Sequence, residues 1–200
     1  MIRGLRSHIK TICTMMKLIV TLLLVPMLST VAIAQKKEVK YPSLPMDEKT
    51  KLVNYNEVVE VSGTSAKDLY SRFMEWGKGY HNGFAGKLRK NDEANGAVEV
   101  FANMRYFAHD AKGAKTSSLI GLIQYTMFLD FKEGKYRYRI TDINVKASSH
   151  QPIEKWLDAT DPDAANKALY LADMDAEITS MIAEMKKAMK TSAAPKGDDW

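Results

Sequence analysis

Three consecutive segments between residues 98 and 145 alternate apolar and polar side chains with a period of two. The apolar side of the first carries Val98, Val100, Ala102, Met104 and Tyr106. That of the second carries Leu119, Ile123, Tyr125, Met127, Leu129 and Phe131. The third segment starts with Tyr136, Arg137, Tyr138, Arg139 and Ile140. A period of two indicates strands with one buried face. The pattern therefore predicts an antiparallel sheet with an apolar side and a polar side.

The connection between the second and third segments is typical of a hairpin. Residues 132–135 read Lys-Glu-Gly-Lys, in which Gly134 can supply a positive φ. The alternation slips near Asp142, because Ile143 and Val145 lie on the same side as the two arginines. A bulge or the end of the strand is a better explanation of this slip than burial of the two arginines, which would cost more free energy.

Two other segments have the three- and four-residue spacing of amphipathic helices. The first follows Ser65, which together with Asp68 is typical of an N-cap with an acid in the first turn. Its apolar stripe consists of Ala66, Leu69, Tyr70, Phe73, Trp76, Gly77 and Tyr80. The second helix is predicted to start at Asp161-Pro162-Asp163, with Asp161 as the N-cap. Its stripe consists of Leu171, Met174, Ile178, Met181, Ile182, Met185 and Met189.

A first strand precedes the first helix, since Val53, Tyr55, Val59 and Val61 alternate with polar residues. The order of elements is then β-α-β-β-β-α. One apolar face on each strand and two amphipathic helices predict an α+β fold, an antiparallel sheet of four to five strands with both helices on one face. We expect the layer between sheet and helices to bury Phe73, Trp76, Leu129 and Ile182.

The first 34 residues predict a secretory signal peptide. Four basic residues and no acid precede an eleven-residue apolar run at 18–28, and Ala32-Ile33-Ala34 forms a cleavage site. The run contains Pro26 and is too short to span about 30 Å of hydrocarbon, which argues against a membrane span. We expect cleavage near Ala34 and Gln35 and a periplasmic or extracellular protein. A start at Met15 or Met16 would give a leader of more ordinary length, so both starts stay open.

Removal of this leader changes the charge of the chain. The leader holds four of the 29 Lys and Arg residues and none of the 24 Asp and Glu, so 25 cations face 24 anions in residues 35–200. A formal charge of +1 and export from the cytoplasm argue against nucleic-acid binding. The single cysteine, Cys13, lies in the leader. The mature chain would therefore have no disulfide, no thiol nucleophile and no thiolate metal site.

The remaining length suits one domain with a hydrophobic core. Residues 35–50 are polar with two prolines and predict an extended lead-in, whereas residues 51–190 predict a single domain. Residues 191–200 contain a proline, a glycine and an acidic pair, and predict a loose tail.

Several motifs in residues 44–146 resemble one bacterial family. They are LPMDEKT at 44–50, YNEVVEV at 55–61, LYSR at 69–72 with Trp76, and GKYRY at 134–138 with Thr141 and Asp142. They are similar to a secreted domain of unknown function, abundant in Bacteroidetes, with a TATA-box-binding-protein-like (TBP-like) fold. The glycine expected between Thr50 and Lys51 is missing here. The resemblance implies the TBP-like fold and no activity, and the name of the fold implies nothing about DNA.

No catalytic or metal motif stands out in this sequence. His81, His109 and His150 form no H-x-x-x-H or H-E-x-x-H pair, and we expect them in exposed loops. The aspartates at 158, 161 and 163 lack the central glycine and closing glutamate of a calcium loop, so helix capping by Asp161 is the simpler interpretation. We therefore predict no catalytic residue, no metal and no cofactor.

The polar side of the sheet carries the candidate binding residues, which are Phe101, Arg105, Phe128, Arg137 and Arg139. Exposed aromatic rings beside arginines are the usual anchors of interfaces. We predict a non-enzymatic module that binds an envelope protein, a peptide or a small apolar ligand. A second copy or a flanking segment could instead cover this face, and the oligomeric state stays open. The alternative is an enzyme with a site of carboxylates and histidine, which a pocket of converging carboxylates would favour.

Export can be tested directly by mass spectrometry of the envelope fraction. We expect a mature amino terminus at Gln35, in its free or cyclised form, because the residues before it form a signal-peptidase site. A variant with arginine in place of Ala32 and Ala34 is the control and should keep its leader. Soluble cytoplasmic chains with an intact leader in the native protein would contradict the prediction.

Overall fold

The computed structural model describes residues 39–191. The predicted signal peptide at 1–34 and nearly all of the predicted tail lie outside the described residues. Within residues 39–191, no helix is long and apolar enough to cross a membrane.

The described region contains one antiparallel sheet and two α-helices. Its strands are β1 (Tyr55–Glu60), β2 (Leu88–Asp92), β3 (Ala97–His109), β4 (Lys115–Lys132), β5 (Lys135–Val145) and β6 (Gln151–Pro152). Their spatial order is β1-β5-β4-β3-β2, and β6 pairs with β5. The helices are α1 (Ala66–Tyr80) and α2 (Ala164–Lys190), and short 3-10 helices lie at Phe84–Lys87 and Ile153–Leu157. The predicted α+β class and antiparallel sheet are confirmed.

Both helices pack on the same face of the sheet. The apolar sides of β3, β4 and β5 are buried there, as the alternation predicts. The predicted stripe of α2 is buried from Leu171 to Met189, and α1 buries Leu69, Tyr70 and Phe73. Burial of one side chain of this size stabilises the fold by about 1.5–3 kcal/mol.

The sequence pattern misses β2 and β6. β2 has the sequence LRKND, and none of its five residues is fully buried. A strand that lies at the edge of the sheet needs little apolar surface, so β2 shows no alternation. A bulge interrupts its pairing as well, because Leu88 pairs with Val100 and Lys90 with Glu99.

A second bulge explains why Leu119, predicted to face the core, is 54% exposed. Phe107 pairs with Leu119 and Tyr106 with Gly121, so Ile120 is an extra residue of β4. One extra residue reverses the faces of the strand beyond it. Leu119 therefore lies with Phe107 on the polar side of the sheet.

A third bulge confirms the slip predicted near Asp142. Thr126 pairs with Thr141 and Gln124 with Asn144, which leaves β5 with one extra residue. Asp142 has a φ of 53°, and Ile143 returns to the core. The arginines at 137 and 139 stay on the polar side.

Lys51 adopts a φ of 59° at the entry turn, where the resemblance places a glycine. The carboxylate of Asp47 accepts hydrogen bonds from the backbone N–H groups of Lys49 and Thr50, at 3.1 and 2.8 Å. These bonds hold the turn and lower the pKa of Asp47. Before the turn, Tyr41 and Leu44 pack against the core, so part of the predicted lead-in contacts the domain.

Two predictions about the helices are wrong. Trp76 is only half-buried and stacks on Tyr80 with ring centroids 5.0 Å apart, because Phe73 occupies the position against the sheet. Helix α2 begins at Ala164 rather than behind Asp161, and its N-cap Asp163 makes no side-chain cap. Asp161 instead accepts a hydrogen bond from the N–H of Asp163 at 2.8 Å, which closes a turn before the helix.

Gly77 is the position in α1 where a larger residue should destabilise the protein. A Cβ atom there would lie 2.4 Å from the buried ring of Phe84. We expect Gly77→Ala to reduce the free energy of unfolding by about 1–3 kcal/mol through overpacking. Gly79→Ala is the matched control, since nothing lies within 4 Å of its Cβ. It should stabilise the helix by up to about 1 kcal/mol. Urea denaturation measures both, and equal effects would contradict the prediction.

Candidate functional site

The sheet face opposite the helices, called the open face below, is formed by the outward side chains of β1 to β5. Val58 lies on it next to Arg137 and is 54% exposed. Phe101, Phe107 and Phe128 are each partly exposed there. The open face thus combines aromatic and charged side chains, as the sequence predicts.

Two arginine–phenylalanine pairs lie next to one another at the centre of the open face. The guanidinium carbon of Arg139 lies 4.5 Å from the ring centroid of Phe128, and that of Arg89 lies 4.9 Å from that of Phe101. Phe128 pairs with Glu99 and Phe101 with Thr126, so the two rings are diagonal neighbours, about 7–8 Å apart. We call these four residues the arginine–phenylalanine strip.

The two guanidiniums of the strip are not neutralised. Neither Arg89 nor Arg139 forms an ion pair with a carboxylate among residues 39–191. Stacking on a ring occupies the face of a guanidinium and leaves its N–H edge for a carboxylate. The strip therefore offers two oriented cationic groups on an aromatic base.

The other predicted site residues are placed differently. Arg137 donates from Nε and Nη2 to the carboxylate of Asp130, at 3.1 and 2.6 Å, and is already paired. Arg105 lies opposite Leu122, four residues along β3 from Phe101, or about 13 Å. The structure thus brings together Phe101, Phe128 and Arg139 but not Arg105. The sequence prediction missed Arg89 because it missed β2, whose sequence LRKND shows no alternation of apolar and polar residues.

A cleft of about 570 Å³ lies at the edge of β3, beyond the end of β2. We call it the edge cleft. Its walls come from the end of α1, the first 3-10 helix, β3 and one turn of α2. The lining residues are Tyr80, His81, Asn82, Lys87, Asn103, Met104, Arg105, Phe107, Tyr125, Glu177 and Met181.

His81 in this cleft is only 7% exposed, so the prediction of an exposed loop histidine is wrong. Its ring stacks on Phe84 at an interplanar angle of 6°, and its Nε2 has no hydrogen-bond partner. Burial, together with the charge of Lys87, lowers the pKa of His81 to about 4. The imidazole is therefore neutral at pH 7.

The prediction is also wrong for His109 and right for His150. The side chain of His109 is 3% exposed and its Nε2 lies 3.4 Å from the carboxylate of Asp173 on α2. His150 is exposed. The burial of His81 has a signal in the sequence, since it continues the four-residue spacing of Phe73 and Gly77.

The described residues show no cluster of three or more His, Cys, Asp or Glu side chains that could hold a metal ion. The edge cleft contains one carboxylate, that of Glu177. Desolvation raises the pKa of Glu177, assisted by Asp173 and opposed by Lys115. The converging carboxylates that would favour the alternative of an enzyme are not found among the lining residues of this cleft.

Comparison with known proteins identifies the fold. Residues 55–146 match the model of a family described as "Domain of unknown function (DUF4468) with TBP-like fold". A TBP-like protein from Parabacteroides distasonis superposes with a TM-score of 0.57 at 15% identity, over 74% of this chain and 98% of that one. A DUF4468 family protein from Bacteroides ovatus gives a TM-score of 0.57 at 14% identity, over 78% and 96%. No curated protein matches the chain. The resemblance and the TBP-like fold are confirmed, and identities this low show the fold alone.

The neutral state of His81 predicts a pH dependence of stability. The pKa of His81 is about 4 in the folded chain and near 6.5 when unfolded, so below pH 6.5 the unfolded state binds the proton more readily. The stabilising contribution is complete above pH 6.5 and is lost as the pH falls to 4. It amounts to at most about 3 kcal/mol.

The measurement compares the free energy of unfolding at pH 7 and pH 4.5 for the native protein and for His81→Phe. Carboxylates titrate in both proteins, so the difference between them isolates the histidine. We expect the variant to lose less stability on acidification. An NMR titration that gives the His81 ring a pKa above 6 would contradict the assignment.

Proposed function

We propose that this chain, whose residues 55–146 carry the DUF4468 domain with its TBP-like fold, is an exported, non-enzymatic binding module of the bacterial envelope. We further propose that its open face binds a protein partner through carboxylates on the surface of that partner. The signal peptide predicted in residues 1–34 supports export to the envelope, and the arginine–phenylalanine strip supports the binding role.

The arginine–phenylalanine strip is the observation on which the proposal depends. A guanidinium stacked on a ring has fewer side-chain conformations to lose when it binds, and its N–H edge can pair with a carboxylate through two parallel hydrogen bonds. Arg89 and Arg139 each have this arrangement. Arginine and aromatic residues at the centre of a patch contribute most of the affinity at protein interfaces.

The charge of the open face favours an acidic partner. Its outward cations are Arg89, Lys90, Arg105, Lys132, Lys135, Arg137 and Arg139. Its outward carboxylates are Glu60, Asp92, Glu99 and Asp130. The excess of cations is local to this face, because residues 35–200 are close to neutral as a whole. Such a patch attracts anionic surfaces over about 8–10 Å at moderate ionic strength.

Photo-crosslinking in intact cells tests the proposal. The photo-reactive residue p-benzoylphenylalanine replaces Val58, which is exposed on the open face, or Glu75, which is exposed on α1. We expect an adduct of defined mass from position 58 and none from position 75. Adducts of equal yield from both positions, or none from position 58, would contradict binding through the open face.

A charge-reversal pair then identifies the contact. Arg89→Glu with Arg139→Glu should abolish the adduct from position 58 and leave the free energy of unfolding within about 1 kcal/mol, since surface changes seldom exceed this. The matched control is Lys67→Glu with Lys78→Glu, the same charge change at exposed positions of α1. Arg137 is unsuitable here because it already pairs with Asp130. An adduct that persists in the first variant would refute the assignment of the strip.

A further inference from the structure

One edge of β3 is only partly paired. β2 pairs with residues 97–100 of β3, whereas β4 accompanies β3 as far as His109 on the other side. Among the described residues, no strand pairs with 101–107 on the side of β2, and no backbone hydrogen bond from a turn or loop reaches them. This free edge is about 23 Å long. Alternate N–H and C=O groups along it point away from the sheet.

The free edge exists because the chain leaves the sheet just before β2. Residues 84–87 form a 3-10 helix, and the preceding Gly83 has a φ of 65°. An extension of β2 towards its amino terminus would have paired with residues 101–107. The edge cleft lies at that place, since Asn103, Met104, Arg105 and Phe107 line it.

The cleft has a different character on the two sides of the free edge. On the helix side, Met104, Tyr125 and Met181 form an apolar floor that is at most 7% exposed, and the Tyr125 hydroxyl donates to the Met181 sulfur at 3.3 Å. Arg105 lies on the other side of β3, since it alternates with Met104 along the strand. Lys87 lies near His81, whose pKa its charge lowers, and Glu177 supplies the one carboxylate among the lining residues. Neither Arg105 nor Lys87 forms an ion pair with a carboxylate among residues 39–191.

We propose that the edge cleft binds an extended peptide segment, which pairs with residues 101–107 as an antiparallel strand in line with β2. An apolar side chain of the peptide packs opposite Met104. Acidic side chains at the alternate positions face Arg105. Main-chain hydrogen bonds supply affinity in this mode of recognition, and alternate side chains supply specificity.

An extended peptide fits the cleft better than a compact ligand does. The unpaired groups repeat along several residues of backbone, and a strand is the structure that satisfies such a row. The alternation of an apolar side and a cationic side across the edge matches a strand of alternating apolar and acidic residues. The proposal does not depend on the arginine–phenylalanine strip, although Arg105 is also an outward cation of the open face.

The probe is a library of nine-residue peptides with Asp or Glu at odd positions and Val, Ile, Leu or Met at even positions. The full mature chain is titrated with the library, and amide hydrogen exchange is followed by NMR. We expect a member to bind and to slow the exchange of alternate amides within residues 101–107. No binding at about 1 mM peptide would overturn the proposal. Slower exchange confined to residues outside 101–107 would do the same.

Backbone methylation of the peptide separates strand pairing from side-chain contacts. N-methylation at the peptide positions whose N–H groups face β3 should weaken binding by about tenfold or more, because it removes hydrogen bonds to that strand. N-methylation at the alternate positions should weaken binding only slightly. Equal effects of the two methylated peptides would refute strand addition. A dimer of the free protein with residues 101–107 already protected would assign the edge to a second copy and overturn the peptide proposal.

Two matched arginine variants distinguish this site from the arginine–phenylalanine strip. Arg105→Glu should weaken peptide binding by about tenfold, as expected for loss of a charge-assisted contact. Arg139→Glu, at an exposed position in the strip, should leave peptide binding unchanged. If the peptide responds to Arg139→Glu and not to Arg105→Glu, it binds at the strip and the edge-cleft proposal fails. Failure of the crosslinking experiment alone would leave the edge-cleft proposal intact.

Discussion

The burial of a single face of the sheet under α2 is the constraint on which the rest of the structure depends. From Met174 to Met189, every residue of the α2 stripe is buried against the sheet or α1. Polar contacts connect α2 to two different strands of the sheet, since Asp173 lies beside His109 of β3 and Lys186 pairs with Glu57 of β1. A helix of 27 residues can reach from one side of the sheet to the other, about 40 Å. With both helices on this face, the other face is left to solvent or to a partner.

The packing of α2 on the sheet also determines which acceptors the tyrosine hydroxyls of the core can reach. Tyr55 donates to Asp175 of α2 at 2.7 Å, and Tyr138 donates to Glu57 at 2.9 Å. Burial and these acceptors raise the pKa of both tyrosines, which keeps the hydroxyls protonated. The rings are thus part of the apolar layer, while the hydroxyl of Tyr55 connects the sheet to α2 and that of Tyr138 connects β5 to β1. Neither of these two hydroxyls takes its acceptor from the open face.

The alternation of side chains predicted most of this fold because a strand with one buried face carries an apolar residue at every second position. Bulges escape such reasoning, since the position of an extra residue depends on the partner strand. Leu119 was therefore assigned to the wrong face. The slip at Asp142 was visible because Ile143 and Val145 fall on the same side of the alternation as the two arginines. β2 left no periodic signal at all. The burial of His109 was equally hidden, because its partner Asp173 is 64 residues away in the sequence.

Two of the free edges of the sheet, those of β1 and of β3, are protected to different degrees. The outer edge of β1 is short and carries Glu57 and Glu60, and Lys186 of α2 lies across it. Charged side chains and a short strand are the devices by which proteins prevent unwanted strand pairing. The free edge of β3 has neither proline nor carboxylate between residues 101 and 107, and Arg105 is its one charge. Such an edge would pair with many strands unless its charge selects among them, and a cation beside an apolar surface selects for acidic, alternating segments.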